Sequence, residues 1–199
     1  MVIRPAAPED AAGIAAVHVA AWQTAYRSLI PQDHLDNLCV DECRTQWSRI
    51  LLKMNEAHFV AEEDHIIGFA SGGPARDDFG ASVGELYSLY LLAEWRRGGL
   101  GRQLFGRVAA AQSLRGMTSL YAWVLEENPF RGFYESLGGR ICAERATEIA
   151  GKRLGVLAFR WDDLTELIAR TQTGRADSAL RQRERSGNLL HERSCPPDS

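Results

Sequence analysis

"LYLLAEWRRGGLGRQL", residues 89–104, decides the fold, because it runs from an apolar stretch through two arginines and three glycines into the start of a helix. Past the glycines, Leu104, Phe105, Val108 and Ala111 recur every three or four residues until Gly116, the helical period and its stop signal. Upstream, "ELYSLYLL", residues 85–92, sets Leu86, Ser88 and Tyr90 against Tyr87, Leu89 and Leu91. Large groups on both faces predict a strand in the middle of its sheet. The stretch therefore reads as central strand, glycine turn, helix.

Working outward, the same unit repeats downstream with different punctuation. "TSLYAWVLEEN" predicts a strand, "PFRGFYESLGG" a short helix opened by Pro129 and closed by Gly138, and "LGVLAFRW" a late strand. Upstream of the loop "GPARDDFGASVG", "HFVAEEDHIIGFASGG" predicts an antiparallel hairpin turning at Glu62–Asp64, with Phe59, Ile66, Ile67 and Phe69 buried. A short strand near the N-terminus leads to a long alanine-rich helix over 9–27, with Ala12, Ala15, Ala16, His18, Val19, Trp22 and Tyr26 at helical spacing. One or two short helices follow Pro31. The order β, α-rich, ββ, β, α, β, α, β, β predicts an α/β fold with both parallel and antiparallel pairing.

With 199 residues, 45% of them hydrophobic and 25% charged, and a net charge of −3, the chain reads as one globular domain over 1–170 followed by a polar tail over 171–199, expected to be mobile. No basic or acidic block points to nucleic acid, and no apolar run reaches the length of a signal core or a membrane span. The cytoplasm is the expected compartment. Cys39, Cys43, Cys142 and Cys195 form no CxxC pair and no zinc spacing with histidine, so reduced structural thiols and no metal are expected.

Two phosphate-binding patterns can be tested against the glycine turn, and both fail. No Lys-Ser or Lys-Thr follows Gly101, as a P-loop requires, and Leu104 stands where a dinucleotide fingerprint requires its third glycine. What remains is Arg96-x-x-Gly99-x-Gly101 between a strand and a helix, where unpaired N–H groups at the helix start can face an anion. An ordinary glycine-eased bend would look the same in isolation.

That pattern resembles the acyl-CoA pyrophosphate motif of the GNAT superfamily of N-acetyltransferases. "WVLEENPFRGFYESLGG", residues 123–139, is similar to that family's next strand and helix, and "AAWQTAYRSLIPQDHLDNL" to its first two helices. The resemblance covers roughly 2–162. Arg97 and Gly98 stand where a glycine and then a basic residue are more usual, and Ala93 where a proline often stands. The resemblance implies a mixed, mostly antiparallel central sheet with a parallel splayed pair, flanked by helices, and acetyl-CoA as cosubstrate. It implies main-chain contacts to the pantetheine arm from Leu89, Tyr90 and Leu91, and a pyrophosphate cradle of Arg96, Arg97, Gly98, Gly99, Leu100, Gly101 and Arg102. Asn128 would hydrogen-bond the arm, a role compatible with capping a helix.

An alkylamine has a pKa near about 10.4, so the acceptor must lose a proton before it attacks a thioester. Glu85 matches by position the general-base glutamate of histone-acetylating members, and Tyr134 the tyrosine that acts as general acid; a solvated strand-end carboxylate and a core tyrosine are the plainer readings. Trp22 and Tyr26, four apart on one helix face, suit either an aromatic wall for a cationic amine or core packing. Asp33, Asp36 and Glu42 are charges of the kind usually just solvated, and His34, His58 and His65 carry no assigned role. The expectation is transfer of an acetyl group to a primary amine of a small molecule or peptide by direct attack in a ternary complex. A non-catalytic acyl-CoA-binding module is the alternative, and a homodimer is compatible with either.

Overall fold

The computed structural model describes residues 1–172. Its seven strands, β1 (Val2–Pro5), β2 (Ala57–Glu62), β3 (Ile66–Pro74), β4 (Val83–Leu91), β5 (Ser119–Leu125), β6 (Arg140–Ile149) and β7 (Lys152–Trp161), form one sheet in the order β1-β2-β3-β4-β5-β7-β6. Every neighbouring pair is antiparallel except β4 and β5. The strand expected to be central is the fourth of the seven. The expected mixed sheet with one parallel pair is the sheet observed.

The helices are α1 (Ala11–Ala25), α2 (Gln32–Asp36), α3 (Val40–Ile50), α4 (Leu100–Leu114), α5 (Arg131–Ser136) and α6 (residues 164–172). The Asp10 carboxylate fixes the start of α1, accepting from the Ala7 N–H at 2.7 Å and from two Arg4 nitrogens at 2.7 and 2.8 Å. One face of α1 buries Ile14, Ala15 and Val17 with Trp47 of α3 against Val60 and Phe69 of the sheet. A side chain at Gly13 would stand 2.7 Å from the Ile66 side chain, so a bare backbone here lets the helix pack directly on that residue. On the opposite face, α4 contributes Leu100, Leu104, Phe105, Val108 and Ala109 to the main core, with Leu86, Leu120 and Phe159 beneath.

The sequence reading assigns no helix after the last strand, where α6 lies, although Leu164, Leu167 and Ile168 stand at i, i+3 and i+4. Its Leu164 and Leu167 are nearly inaccessible, and Asp163 caps it by accepting from the N–H groups of Thr165 and Glu166 at 2.7 and 3.1 Å. Thr171, placed by the sequence reading at the head of the polar tail, is buried against Gly106 of α4. The rest of that expected tail, from 173 onward, lies outside the described residues. Among the described residues no helix is long and apolar enough to cross a membrane.

Candidate active site

The site exists because β4 and β5 part company. They pair only at Val83–Glu85 with Ser119–Tyr121, while β4 stays bonded to β3 as far as Leu91 and β5 to β7 as far as Leu125. Between Ser71/Gly72 and Ser88/Leu86 the β3–β4 register slips by one residue, leaving Tyr87 as the extra residue of a bulge just where the fork opens. Beyond it, main-chain groups of β4 and β5 face a cleft of about 530 Å³. An extended chain can enter there as a strand would.

The N-terminus of α4 closes one end of the cleft. Arg97 and Gly99 both have positive φ, 65° and 82°, which turns the chain sharply so that α4 begins at Leu100 with its first N–H groups free of helical partners. A side chain on Gly101 would project between Leu91 and Phe133, 3.5 and 3.7 Å away, both of which line the cleft. A bare backbone therefore lets an anion approach the helix start. The positive φ falls on Arg97, where the resembled family more usually has glycine.

Leu89, Tyr90, Leu91, Arg96, Arg97, Gly99, Gly101, Arg102, Asn128, Tyr134, Trp22 and Tyr26 all line this cleft. Two expected cradle residues do not: the Leu100 side chain is core, and Gly98 is exposed on the outer side of the turn. Arg96 is also engaged elsewhere. Its guanidinium donates to the Leu91 carbonyl at 3.3 Å and to Thr24 Oγ1 at 2.8 Å and lies over the Phe130 ring, so it ties α1 to the end of β4. Arg102 donates to the Arg170 carbonyl at 3.1 Å. Asn128 Oδ1 accepts from the Phe130 N–H at 2.8 Å, which holds the turn into α5 and leaves its amide N–H groups for other partners.

Tyr134 is half-buried, stacked on Phe159 and edge-on to Phe133, with its hydroxyl among those of Tyr26 and Tyr90. Burial holds its pKa well above the ordinary phenol value, so it keeps its proton at neutral pH. Tyr90 is raised for the same reason, with the Tyr26 hydroxyl beside it.

A second cavity of about 300 Å³ adjoins the fork on the α1 and α3 side, lined by His18, Trp22, Trp47, Glu56, Ser71, Arg76, Tyr87, Ser88 and Tyr90 among others. Trp22, Tyr87, Ser88 and Tyr90 line both spaces, so the two meet beside the bulge. His18 stacks on Tyr90 at 5.1 Å, and its Nδ1 accepts from the Trp47 indole at 3.2 Å. Burial pushes His18 down to about 4, so it is neutral at physiological pH. Trp22 meets Tyr26 edge-on at 5.3 Å, and of the two only Trp22 reaches the second cavity.

Glu85, expected from its place near the start of the central strand to be a base, is enclosed there. Its side chain is only 1% exposed and borders neither cavity. The carboxylate is held by the Arg76 guanidinium, the Arg76 N–H at 3.0 Å and the Tyr121 hydroxyl at 2.6 Å, so its lone pairs are committed to an internal ion pair. Arg76 in turn packs over the Tyr87 ring and presents its outer side to the second cavity. Glu85 thus holds Arg76 in place, and its carboxylate opens into neither cavity.

Ser71 and Arg76 were not singled out from sequence, Tyr87 and Ser88 were read only as strand-face residues and His18 only as a helix-face residue. The one usable signal was Ser71, a polar residue inside the apolar run "IIGFASGG", whose strand is buried throughout up to its last residue. Among the described residues no group of three or more His, Cys, Asp or Glu is placed to hold a metal ion.

Residues 54–138 match the sequence model of the family described as "Acetyltransferase (GNAT) domain". Over 169 residues the chain is 39% identical to an uncharacterized N-acetyltransferase, YuaI, of Bacillus subtilis, covering 84% of this chain and 96% of that protein. Among solved structures, a ribosomal-protein-alanine N-acetyltransferase from Brucella melitensis superposes with a TM-score of 0.65 at 24% identity, covering 81% of this chain and 99% of the other. YncA, a putative acetyltransferase from Salmonella typhimurium solved with its cofactor acetyl-CoA, superposes at 0.63 with 22% identity, covering 81% and 93%.

Proposed function

Because the chain belongs to the GNAT family of N-acetyltransferases, we propose that it moves the acetyl group of acetyl-CoA to a primary amine, of a small molecule or a peptide terminus, by direct attack in a ternary complex. The observation that carries this is the shared wall of Trp22, Tyr87, Ser88 and Tyr90. Donor and acceptor can each fill a separate space and still bring thioester and amine together, with no need for an enzyme nucleophile.

The β4 backbone at Leu89–Leu91 receives the pantetheine arm, and one of its N–H groups polarises the thioester carbonyl. The amides opening α4, with Arg97 and Arg102 alongside, hold the pyrophosphate. Asn128 donates its free amide N–H to the arm. The acetyl-CoA bound in the YncA structure supports this choice of donor. Tyr134 holds a proton for the departing sulfur and recovers one from the nitrogen. Burial raises a thiolate's proton affinity as it raises the phenol's, so the transfer stays balanced in the same dry cleft.

The acceptor space has four aromatic walls, from Trp22, Trp47, Tyr87 and Tyr90, and two exposed cations, Lys53 and Arg76, each already paired with a glutamate. It suits a compact amine with an apolar or aromatic body. The test is thiol release from acetyl-CoA against polyamines, arylalkylamines, amino acids and dipeptides, with the product weighed for one acetyl group. Turnover with at least one class is expected. Tight acetyl-CoA binding with no thiol release from any amine would instead mark a CoA-binding module.

A further inference from the structure

With Glu85 committed to Arg76, the amine's proton needs another exit, and the second cavity has one in its wall. Ser71, on β3, lies directly opposite Ser88 of β4, so both side chains share a face beside the fork. Ser71 is 2% exposed and lines the second cavity. Behind it, His58 Nδ1 lies 2.9 Å from Ser71 Oγ. On the far side of the ring, His58 Nε2 is buried without a hydrogen-bond partner, 3.7 Å from Glu56 Oε2. Glu56 itself pairs with Lys53 at 2.9 Å, whose side chain reaches solvent. Serine, imidazole and carboxylate thus stand in a row whose two ends, Ser71 and Glu56, both border the cavity, with Lys53 carrying the Glu56 end to solvent.

We propose that Ser71, His58 and Glu56 form a relay that takes the proton from the acceptor ammonium, with Ser71 as the group that touches the substrate and His58 and Glu56 acting through it. This rests on the reading of the second cavity as the acceptor's seat. In the step, one N–H bond of the ammonium breaks as its proton passes to Ser71 Oγ, while the serine proton passes to His58 Nδ1. The freed nitrogen lone pair then attacks the thioester carbon and the carbon–sulfur bond breaks. The sulfur's proton comes from Tyr134, which regains one from the nitrogen. The relay's own proton leaves from the imidazolium, past Glu56, to water.

Surroundings and chemistry agree. Burial lowers His58, while Glu56 and the Ile50 carbonyl pull it up and Lys53 and Arg115 push it down; the net direction is down, so the ring is neutral and able to accept. Trp47 covers the ring edge-on. The gap to Glu56 is too long for a hydrogen bond in the neutral state, and an imidazolium would draw the carboxylate in, which stabilises the transient charge.

The test has two arms. With the best amine from the thiol-release screen, Ser71→Ala and His58→Gln are expected to lower kcat/KM about 100-fold at pH 7, with the deficit shrinking as pH approaches about 10, where the amine is already neutral. Glu56→Gln should show a smaller loss with the same pH trend. A deficit constant across pH, or none, overturns the relay. The second arm needs no acceptor or variant: long-range 1H–15N spectra of the unmodified protein should show His58 neutral at pH 7 with its proton on Nε2. A proton on Nδ1, or a charged ring, overturns the relay by itself. Failure of the parent reading looks different, as acetyl-CoA binding without turnover of any amine.

Discussion

In the proposed function, the groups that meet the donor are main-chain amides of β4 and of the first turn of α4. On the acceptor side, they are side chains from α1, α3, β3, β4 and the loops that follow α3 and β3. A donor common to many enzymes can be bound by backbone geometry, which tolerates sequence change as long as the glycines and the fork remain. An acceptor particular to one enzyme needs side chains, and these are scattered. Substitutions on the two sides should therefore differ in kind. Donor-side changes shift acetyl-CoA affinity modestly, whereas acceptor-side changes alter stability and turnover more steeply.

The largest effects fall on the buried polar framework of the acceptor side. Arg76→Met strands the Glu85 carboxylate and should destabilise the protein by about 3 kcal/mol in urea titrations, as loss of one member of a buried pair does. Glu85→Gln should cost less, because the Arg76 side chain is 62% exposed and can turn to water. Acetyl-CoA affinity should be nearly unchanged in both. A Glu85→Gln variant that keeps its stability but loses turnover would restore Glu85 as the base.

Acid exposes the same side. His18 is held down to about 4, against 6.5 for an ordinary histidine, so the unfolded chain binds a proton that the folded chain refuses. Stability from this group is complete above pH 6.5 and falls as pH drops toward 4, by about 3 kcal/mol in all. The slope should flatten in His18→Gln, which keeps an acceptor for Trp47; an unchanged slope would assign the acid sensitivity elsewhere.

Where the two halves meet, Tyr134→Phe should lower kcat about 100-fold with acetyl-CoA affinity little altered. A loss of less than tenfold would leave Tyr134 as a core residue. The smallest effect is expected from Arg97→Gly on the donor side. It relieves a positive φ of 65° but adds chain entropy to the unfolded state, so stability should rise by less than about 1 kcal/mol. Acetyl-CoA affinity should fall a few-fold, and less so at high salt.

This division explains what the sequence could show. The fork, the glycine turn and α4 occupy one continuous stretch, and their spacing is set by backbone geometry, so "LYLLAEWRRGGLGRQL" is legible in isolation. The acceptor wall draws His18, Trp47, Ser71, Arg76 and Ser88 from five separate elements, and only folding brings them together. The surroundings of Glu85 were hidden for the same reason. Its position on the strand is visible in sequence, but its capture by Arg76, nine residues upstream across a loop, is not. Helix α6 escaped because its apolar period, Leu164, Leu167 and Ile168, spans little more than one turn before the polar stretch that follows.

Hydrogen exchange with and without acetyl-CoA tests the central claim, that the donor is bound by the backbone of an open β4–β5 fork. The account predicts slowed exchange at Leu89–Leu91 and at Gly99–Arg102, with Glu56, His58 and Ser71 unaffected. Protection confined to the acceptor side, or none at saturating acetyl-CoA, would contradict it.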